Sequence, residues 1–341
     1  MASPTEIAAM RRALDLARSP SAPLGPNPRV GCVLLDADGL VIAEGFGRGA
    51  GERHAEVDAL AAAGGRAHGA TAVVTLEPCS HTGRTGPCAA AVRGAGVIRV
   101  VYAQADDSPV AAGGAEMLRA AGVDVEGGVL ADEAREVNPV WTFAVDNGRP
   151  FVTWKFAATL DGRSAAADGT SRWITSPEAR ADVHRLRAEC DVVLVGTGTV
   201  LADDPALTVR DGAGFPLERR FQPLRAVMGM GAIPTGAALN DDAAETLLLA
   251  TRDPEHALTA LFAHGRTHVW LEGGPTLAGA FVGAGLVDRV VAYLAPALLG
   301  AGAAALRDAG VATVGDAVRL DIADVTRVGP DLRIVARPEK G

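Results

Sequence analysis

The sequence predicts two α/β domains in succession. Three observations carry this: a length of 341 residues, strands alternating with helices in both halves, and a turn-rich break, "DNGRP", at residues 146–150 between them. The boundary is placed there, giving domains over 1–147 and 148–341. No fixed-period repeat links the halves, so two different α/β domains are expected. Hydrophobic content of 48% with 21% charged residues is that of a globular chain.

In order, residues 4–18 form an amphipathic helix, and the Pro-rich "SPSAPLGPNP" leads to a strand, "RVGCVLL". The turn "DADG" joins it to "LVIAEGF" as in a hairpin. A helix from His54 to about Ala63 follows, then the strand "TAVVTL", a short helix after Pro87 and the strand "IRVVYA". "GGAEMLRAAG" reads as a helix, "VDVEGGV" as a strand and "ADEAREVNPVWTFAV" as one helix. The second half opens on the strand "FVTWKFAAT" and continues with "DVVLVGT", "RAVMGM", "ETLLLAT", "THVWLEGG" and "VDRVVAYLAP".

Composition also excludes function classes. A net charge of −9 without a basic tract argues against a nucleic-acid scaffold. The first helix carries interior charges, unlike a signal peptide, and no apolar run reaches the length of a membrane span. Four cysteines in so long a chain form no disulfide framework, so reduced thiols and a cytoplasmic location are expected.

Chemistry concentrates in "TLEPCSHTGRTGPC", residues 75–88, and in "HAEVDAL" upstream of it. His54, Cys79 and Cys88 supply an imidazole and two potential thiolates, which with Zn²⁺ sum to near-neutral charge and leave one tetrahedral position for water. Glu56 is the candidate proton carrier. Residues i and i+2 do not share a face inside a helix, so His54 and Glu56 converge only if the helix starts between them. Pro87 suits a first helical position, which puts Cys88 in the first turn, where helix dipole and metal both favour thiolate. Zinc deaminases share this layout of H-x-E followed by P-C-x-x-C, but here eight residues separate the cysteines instead of two. His81 as a fourth ligand would instead close a structural site, and a metal-free cluster is the other alternative. Glu56, which a structural site does not need, argues against both. Cys32 and Cys190 read as small buried hydrophobes.

Taken together, "NPRVGCVL", "AGERHAEVDAL" and "TLEPCSHTGRTGPC" resemble the bifunctional deaminase/reductase family of riboflavin biosynthesis, whose long inter-cysteine loop accounts for the spacing. The resemblance extends through "RPFVTWKFAATLDGRSAA", "SRWITSPEARADVHRLRAECD", "GTGTVLADDPALTVR" and "LEGGPTL". It implies a cytidine-deaminase-like three-layer sandwich followed by a dihydrofolate-reductase-like α/β domain. The implied substrate is a diaminopyrimidinone ribosyl phosphate, deaminated with Zn²⁺ and then reduced with NADPH from ribosyl to ribityl. On this resemblance His54, Cys79 and Cys88 hold zinc, Glu56 shuttles the proton, and Asn27 and Arg84 contact substrate. The chain departs from the family's frequent pattern at Gly47, Thr82 and Gly86, and at Asp107 and Ser108 in the loop 106–109.

The second half has no G-x-G-x-x-G, and "GTGT" at 196–199 lacks the third glycine. "THVWLEGGPTLAGAFVGAG" is more informative: a strand, Gly273 and Gly274, then a helix opening at Pro275 whose N–H groups can face an anion. An ordinary tight strand–helix turn is the alternative. By the resemblance, Ala157, Trp173, Thr199 and Asp203 match cofactor contacts, as do Gly274, Pro275, Thr276, Leu277, Ala278, Gly279 and Ala280. Ser171, Arg187, Leu207, Arg210 and Glu272 match substrate contacts. Asp203 is also a candidate for proton transfer as the sugar ring opens, and arginines suit a phosphate.

The expected partners are a small-molecule pyrimidine ribosyl phosphate and further copies of the chain, with neither nucleic acid nor membrane. Three other readings remain: a deaminase editing nucleic acid such as tRNA, an enzyme with one active half, and a non-catalytic zinc-stabilised binding protein.

Overall fold

The computed structural model describes residues 1–19, 27–49, 51–82, 86–108 and 111–339. The chain divides into two compact units, Met1–Asn147 and Gly148–Gly341.

In the first unit the elements are α1 (Pro4–Arg18), β1 (Gly31–Leu35), β2 (Val41–Phe46), α2 (Ala55–Ala63), β3 (Thr71–Leu76), α3 (Cys88–Gly94), β4 (Arg99–Gln104), α4 (Gly114–Ala120), β5 (Asp124–Gly127), α5 (Ala131–Arg135) and α6 (Pro139–Asn147). α1 starts on a capping box: the Glu6 N–H donates to Ser3 Oγ at 3.2 Å and the Ser3 N–H to Glu6 Oε2 at 2.7 Å. The sheet runs β2-β1-β3-β4-β5, with β1 antiparallel to both neighbours and β3, β4 and β5 parallel.

Both faces of this sheet are covered, which is why its strands read as near-continuous apolar runs. Cys32, Leu34, Ala72 and Val74 pack towards α2, α3 and α4, whereas Val33, Leu35, Val73 and Val101 pack towards α1 and α5. The result is a three-layer sandwich. At Gly45 in β2 a Cβ atom would meet Ala55 O at 2.4 Å and Ala59 N at 2.4 Å, so only glycine lets the start of α2 lie this close to the sheet.

The single helix expected over 131–145 is two helices. Pro139 cannot donate to the preceding turn. Asn138 is instead tied to the segment leading into β1: its Oδ1 accepts the Arg29 N–H at 2.8 Å and its Nδ2 donates to Arg29 O at 2.8 Å.

The second unit contains β6 (Phe151–Thr159), α7 (Pro177–Arg187), β7 (Val192–Gly196), α8 (Thr197–Asp203), β8 (Leu224–Met228), β9 (Thr246–Leu249), α9 (Pro254–Ala263), β10 (His268–Leu271), α10 (Pro275–Gly283), β11 (Arg289–Ala295), β12 (Leu320–Val328) and β13 (Asp331–Pro338). Its sheet order is β12-β13-β11-β6-β10-β7-β8-β9. The run from β11 to β9 is parallel, and β13 and β12 add antiparallel to its edge. Leu258, Leu261, Ala278 and Phe281 of α9 and α10 cover one face; Ala179, Val183 and Val200 of α7 and α8 cover the other. The C-terminal hairpin was not anticipated, because β12 is exposed along most of its length and shows no apolar run. Among the described residues no helix is long and apolar enough to cross a membrane.

Candidate functional site

The first site is assembled from a strand end and two helix starts. His54 is the N-cap residue of α2 and its side chain does not cap that helix. Cys79 lies three residues past the end of β3, and Cys88 is the first residue of α3, with Pro87 just outside the helix as its N-cap. The Cys88 N–H donates to Cys79 Sγ at 3.4 Å. His54 Nδ1 lies 3.7 Å from Cys79 Sγ and 3.2 Å from Cys88 Sγ, and the three ligand atoms lie within 4.8 Å of one another. Tetrahedral zinc, with bonds of about 2.3 Å to sulfur and about 2.05 Å to nitrogen, would separate N from S by about 3.6 Å. The observed distances bracket that value, so the donor set fits zinc in spacing and in chemistry. Among the described residues the cluster consists of these three, and His81 is not part of it.

Glu56 sits in the first turn of α2, buried, within hydrogen-bonding reach of the Cys88 thiol. Burial first, and then the charge of Cys79, push its carboxyl up to about 7. The hydrogen bond from the Cys88 thiol holds Cys79 down at about 4 against its burial, with help from His54. Cys88, the donor of that bond, is pushed up. The hydrogen bond with Cys79 raises His54.

Glu77, which the sequence reading passed over, is buried behind this site. Its carboxylate accepts the Ala115 N–H at 2.8 Å and the Asp106 N–H at 3.3 Å, tying the start of α4 and the loop 106–108 to the β3 end two residues before Cys79. An acidic residue between an apolar strand and a ligand cysteine was the available signal. In the same loop the Asp106 carboxylate accepts the Ser108 N–H at 3.0 Å. Asn27 is exposed, and Arg84 lies outside the described residues.

In the second unit a cavity of about 650 Å³ opens at the carboxyl ends of β7, β8, β9 and β10, where parallel α/β sheets bind ligands. Ser171, Thr199, Asp203, Gly274, Pro275, Thr276, Leu277 and Ala280 line it. Ala278 and Gly279 do not: both are buried, and a Cβ on Gly279 would meet Arg307 O at 1.7 Å. Ala157 is half-buried on β6. Trp173 is 70% exposed, with the Arg180 guanidinium 4.4 Å from its ring centroid.

Arg187, buried, and Glu272, half-buried, form a separate pair. Arg187 Nε and Nη2 donate to Glu272 Oε1 at 3.1 and 2.8 Å, Nη2 also to Oε2 at 2.8 Å, and Nη1 to Thr208 O at 2.8 Å. Trp270 Nε1 donates to the same carboxylate. Burial opposes the Glu272 charge, yet Arg187 and Lys155 hold its carboxyl at about 2. Leu207 is buried at a φ of 52°, and exposed Arg210 donates to Gly214 O at 3.1 Å. Two further residues belong to this neighbourhood and were missed. Lys155, a lone cation in the apolar β6, is lowered by burial; His184, three residues before Arg187 on α7, falls to about 4 through burial and the charge of Arg187.

Comparison with known proteins assigns both halves. Residues 4–104 match the cytidine and deoxycytidylate deaminase zinc-binding region, and residues 150–334 match the RibD C-terminal domain. The riboflavin biosynthesis protein RibD of Mycobacterium tuberculosis (strain ATCC 25618 / H37Rv) is 49% identical over 318 residues, covering 92% of each chain. The chain belongs to the RibD family. The RibD of Escherichia coli (strain K12) is 41% identical over 95% of this chain and 96% of its own. The structure of Acinetobacter baumannii RibD superposes with a TM-score of 0.84 at 37% identity, over 98% of this chain and 99% of its own. A Thermotoga maritima protein described as a diaminohydroxyphosphoribosylaminopyrimidine deaminase/5-amino-6-(5-phosphoribosylamino)uracil reductase gives 0.77 at 31% identity, over 98% and 99%. Like other RibD proteins the chain is a bifunctional enzyme of riboflavin biosynthesis, a zinc-dependent deaminase followed by a reductase.

Proposed function

We propose that residues 1–147 deaminate a diaminopyrimidinone ribosyl phosphate at a zinc ion held by His54, Cys79 and Cys88, and that residues 148–341 then reduce its ribosyl group to ribityl with NADPH. The convergence of one imidazole and two cysteine sulfurs at zinc spacing, with buried Glu56 beside them, carries the reading. When bound, the ion supplies a polarised water of near-neutral pKa. Glu56, its carboxyl raised to about 7, would relay the two protons of the attacking water in turn, the first to the ring nitrogen and the second to the departing amino group, so that the water oxygen stays on the ring and ammonia leaves. Asn27 and Arg84 are assigned to substrate.

In the second unit the cavity takes the dinucleotide along Thr199, Asp203 and the start of α10. Its volume lies within the usual range of about 300–1,000 Å³ for small-molecule sites. Ser171, Arg187, Leu207, Arg210 and Glu272 are assigned to the ribosyl phosphate. Hydride transfer is the cofactor's chemistry, so the residues' task is to position both molecules. Four buried, unpaired cysteines support a reducing, cytoplasmic setting, in which the chain works as a homo-oligomer.

The test is metal analysis of the purified protein joined to a coupled assay on the pyrimidine ribosyl phosphate. About one zinc per chain is expected, with ammonia release preceding NADPH oxidation. Ammonia release that survives complete removal of zinc, or a zinc-loaded protein that releases none, overturns the deaminase assignment; absence of NADPH oxidation on the deaminated compound overturns the reductase assignment.

A further inference from the structure

A second cavity in the second unit, of about 140 Å³, lies between the end of α7 and the amino ends of β6, β10 and β11. It shares no lining residue with the larger cavity at the carboxyl ends of the strands. Three arginines from three elements line it: Arg185 on α7, Arg289 at the start of β11 and Arg333 on β13. Glu189 is the acidic residue among the lining side chains.

The nearby carboxylates are committed to two of these cations. Asp182 Oδ1 accepts from Arg185 Nε and Nη2 at 3.1 and 2.9 Å, and its Oδ2 accepts from Arg333 Nη1 at 2.9 Å and the Tyr293 hydroxyl at 2.7 Å. Glu189 Oε1 accepts from Arg185 Nη1 at 2.9 Å, and Asp324 Oδ2 from Arg333 Nη2 at 3.2 Å. Asp288, the neighbour of Arg289 in sequence, is held by both terminal nitrogens of Arg149 at 2.8 Å. Arg289 is left over. Its guanidinium lies 4.9 Å from the centroid of the Phe151 ring, and among the described residues neither an ion pair nor a hydrogen bond engages it. Burial first, and then the charge of Arg337, work against its ionised form. Arg333 contributes a second unmet demand, because its Nε is buried without a hydrogen-bond partner. Buried donors of this kind are rare in native proteins and call for an acceptor. The same wall carries the Thr153 hydroxyl, 2.9 Å from His268 Nε2.

An uncompensated guanidinium and an unpartnered guanidinium N–H, brought to one cavity by separate strands, both call for an anion with several acceptor oxygens. We infer that this cavity binds a phosphate group, free or carried by a small ester, between Arg289 and Arg333. The volume matches about five waters at about 30 Å³ each. It falls below the range of about 300–1,000 Å³ usual for larger ligands, which excludes a nucleotide. Arginine suits this group because its planar fork presents paired donors to phosphate oxygens. A phosphate held there would tie β11 to β13 beside the end of α7.

The experiment uses the full-length, zinc-loaded chain. Inorganic phosphate is titrated calorimetrically into wild type, Arg289→Gln and Arg289→Lys, and crystals of wild type are soaked in tungstate, a tetrahedral oxyanion located by its anomalous scattering. Phosphate bound elsewhere on the chain persists in the variants, so the difference between titrations reports this cavity. Arg289→Gln should weaken the phosphate site about 10- to 100-fold, as for loss of a charge-assisted contact, and Arg289→Lys should recover part of that. Wild-type affinity should fall as ionic strength rises. Ammonia release and NADPH oxidation without added phosphate should equal wild type in both variants, which checks folding. Tungstate should appear between Arg289 and Arg333. Displacement of phosphate by glycerol 3-phosphate would assign the site to an ester, and failure to displace it would assign the free ion. Identical phosphate titrations of wild type and Arg289→Gln would overturn the inference, as would tungstate that occupies other sites and leaves this cavity unfilled.

Discussion

Replacing Glu56 with Gln keeps the volume of the side chain and its place in the first turn of α2, and removes only the capacity to carry a proton. The carboxyl is 4% exposed and poised at about 7, so ionised and protonated forms are nearly equal at neutral pH. A positioned general acid–base contributes about 10²–10⁴ in rate, or about 3–5.5 kcal/mol at 1.36 kcal/mol per decade. The structural cost of the change is smaller. A neutral amide avoids the desolvation penalty of a buried carboxylate, and one lost hydrogen bond to Cys88 is worth about 1 kcal/mol. That is well inside a stability of about 5–15 kcal/mol. Ammonia release should therefore fall at least about 100-fold, while zinc content and NADPH oxidation on the deaminated compound stay near wild type. The assay is the ratio of the two activities on one preparation, with metal measured alongside. Deamination within about 10-fold of wild type, zinc retained, would refute the proton-carrier role; parallel loss of both activities would show a folding defect instead.

Cys88→Ala removes one ligand of three and the thiol that donates to Cys79, so the purified variant should contain little zinc and release no ammonia; near-stoichiometric zinc would contradict the ligand assignment. Glu272→Gln leaves Arg187 buried without its counter-charge, and chemical denaturation should report a loss of about 3–5 kcal/mol; under about 1 kcal/mol would mean that solvent already compensates the pair. Burial first, and then Arg289, hold His268 at about 3, below its ordinary 6.5. The unfolded chain thus binds this proton first: the contribution is complete above pH 6.5 and is lost as pH falls from 6.5 towards 3. At pH 5 the loss is about 2 kcal/mol. His268→Gln should flatten the fall in stability between pH 7 and pH 5 by that amount, and an unchanged slope would show that His268 does not titrate as its burial requires.

Much of the fold was legible because alternation of apolar strands with short helices is a local signal, and burial on both faces of each sheet sharpened it. What failed was decided by distant partners. The break between α5 and α6 depends on Asn138 bonding to Arg29, more than a hundred residues away in sequence. β12 is held by its pairing with β13 rather than by burial of its own side chains. The zinc-spaced cluster was readable because each member sits at an element start or end, where Pro, Gly and a strand terminus mark the chain. The stretch from Gly274 to Ala280 was not resolved residue by residue. A helix of 3.6 residues per turn turns Ala278 and Gly279 into the core while Pro275, Thr276, Leu277 and Ala280 line the cavity. Lys155 and His184 were invisible because a single ionisable residue in an apolar setting acquires meaning only from neighbours brought by other elements.

The contrast between the two halves has a physical origin. A metal ion demands that its donors lie within a few ångströms, so three residues and one carboxylate must be placed by tight local devices: a helix N-cap, a strand end, a proline before a cysteine, a glycine under a helix. Such devices leave sequence marks at fixed spacing. A dinucleotide is long, and in the proposed site its binding energy would be spread over many weak contacts along the carboxyl ends of β7, β8, β9 and β10, each giving a short stretch such as Gly196–Thr199 or Thr251–Arg252. No one stretch needs an unusual composition, so no compact motif arises. On the proposed reading most single substitutions in the cavity should dilute affinity, whereas loss of any one metal donor should abolish the deaminase site.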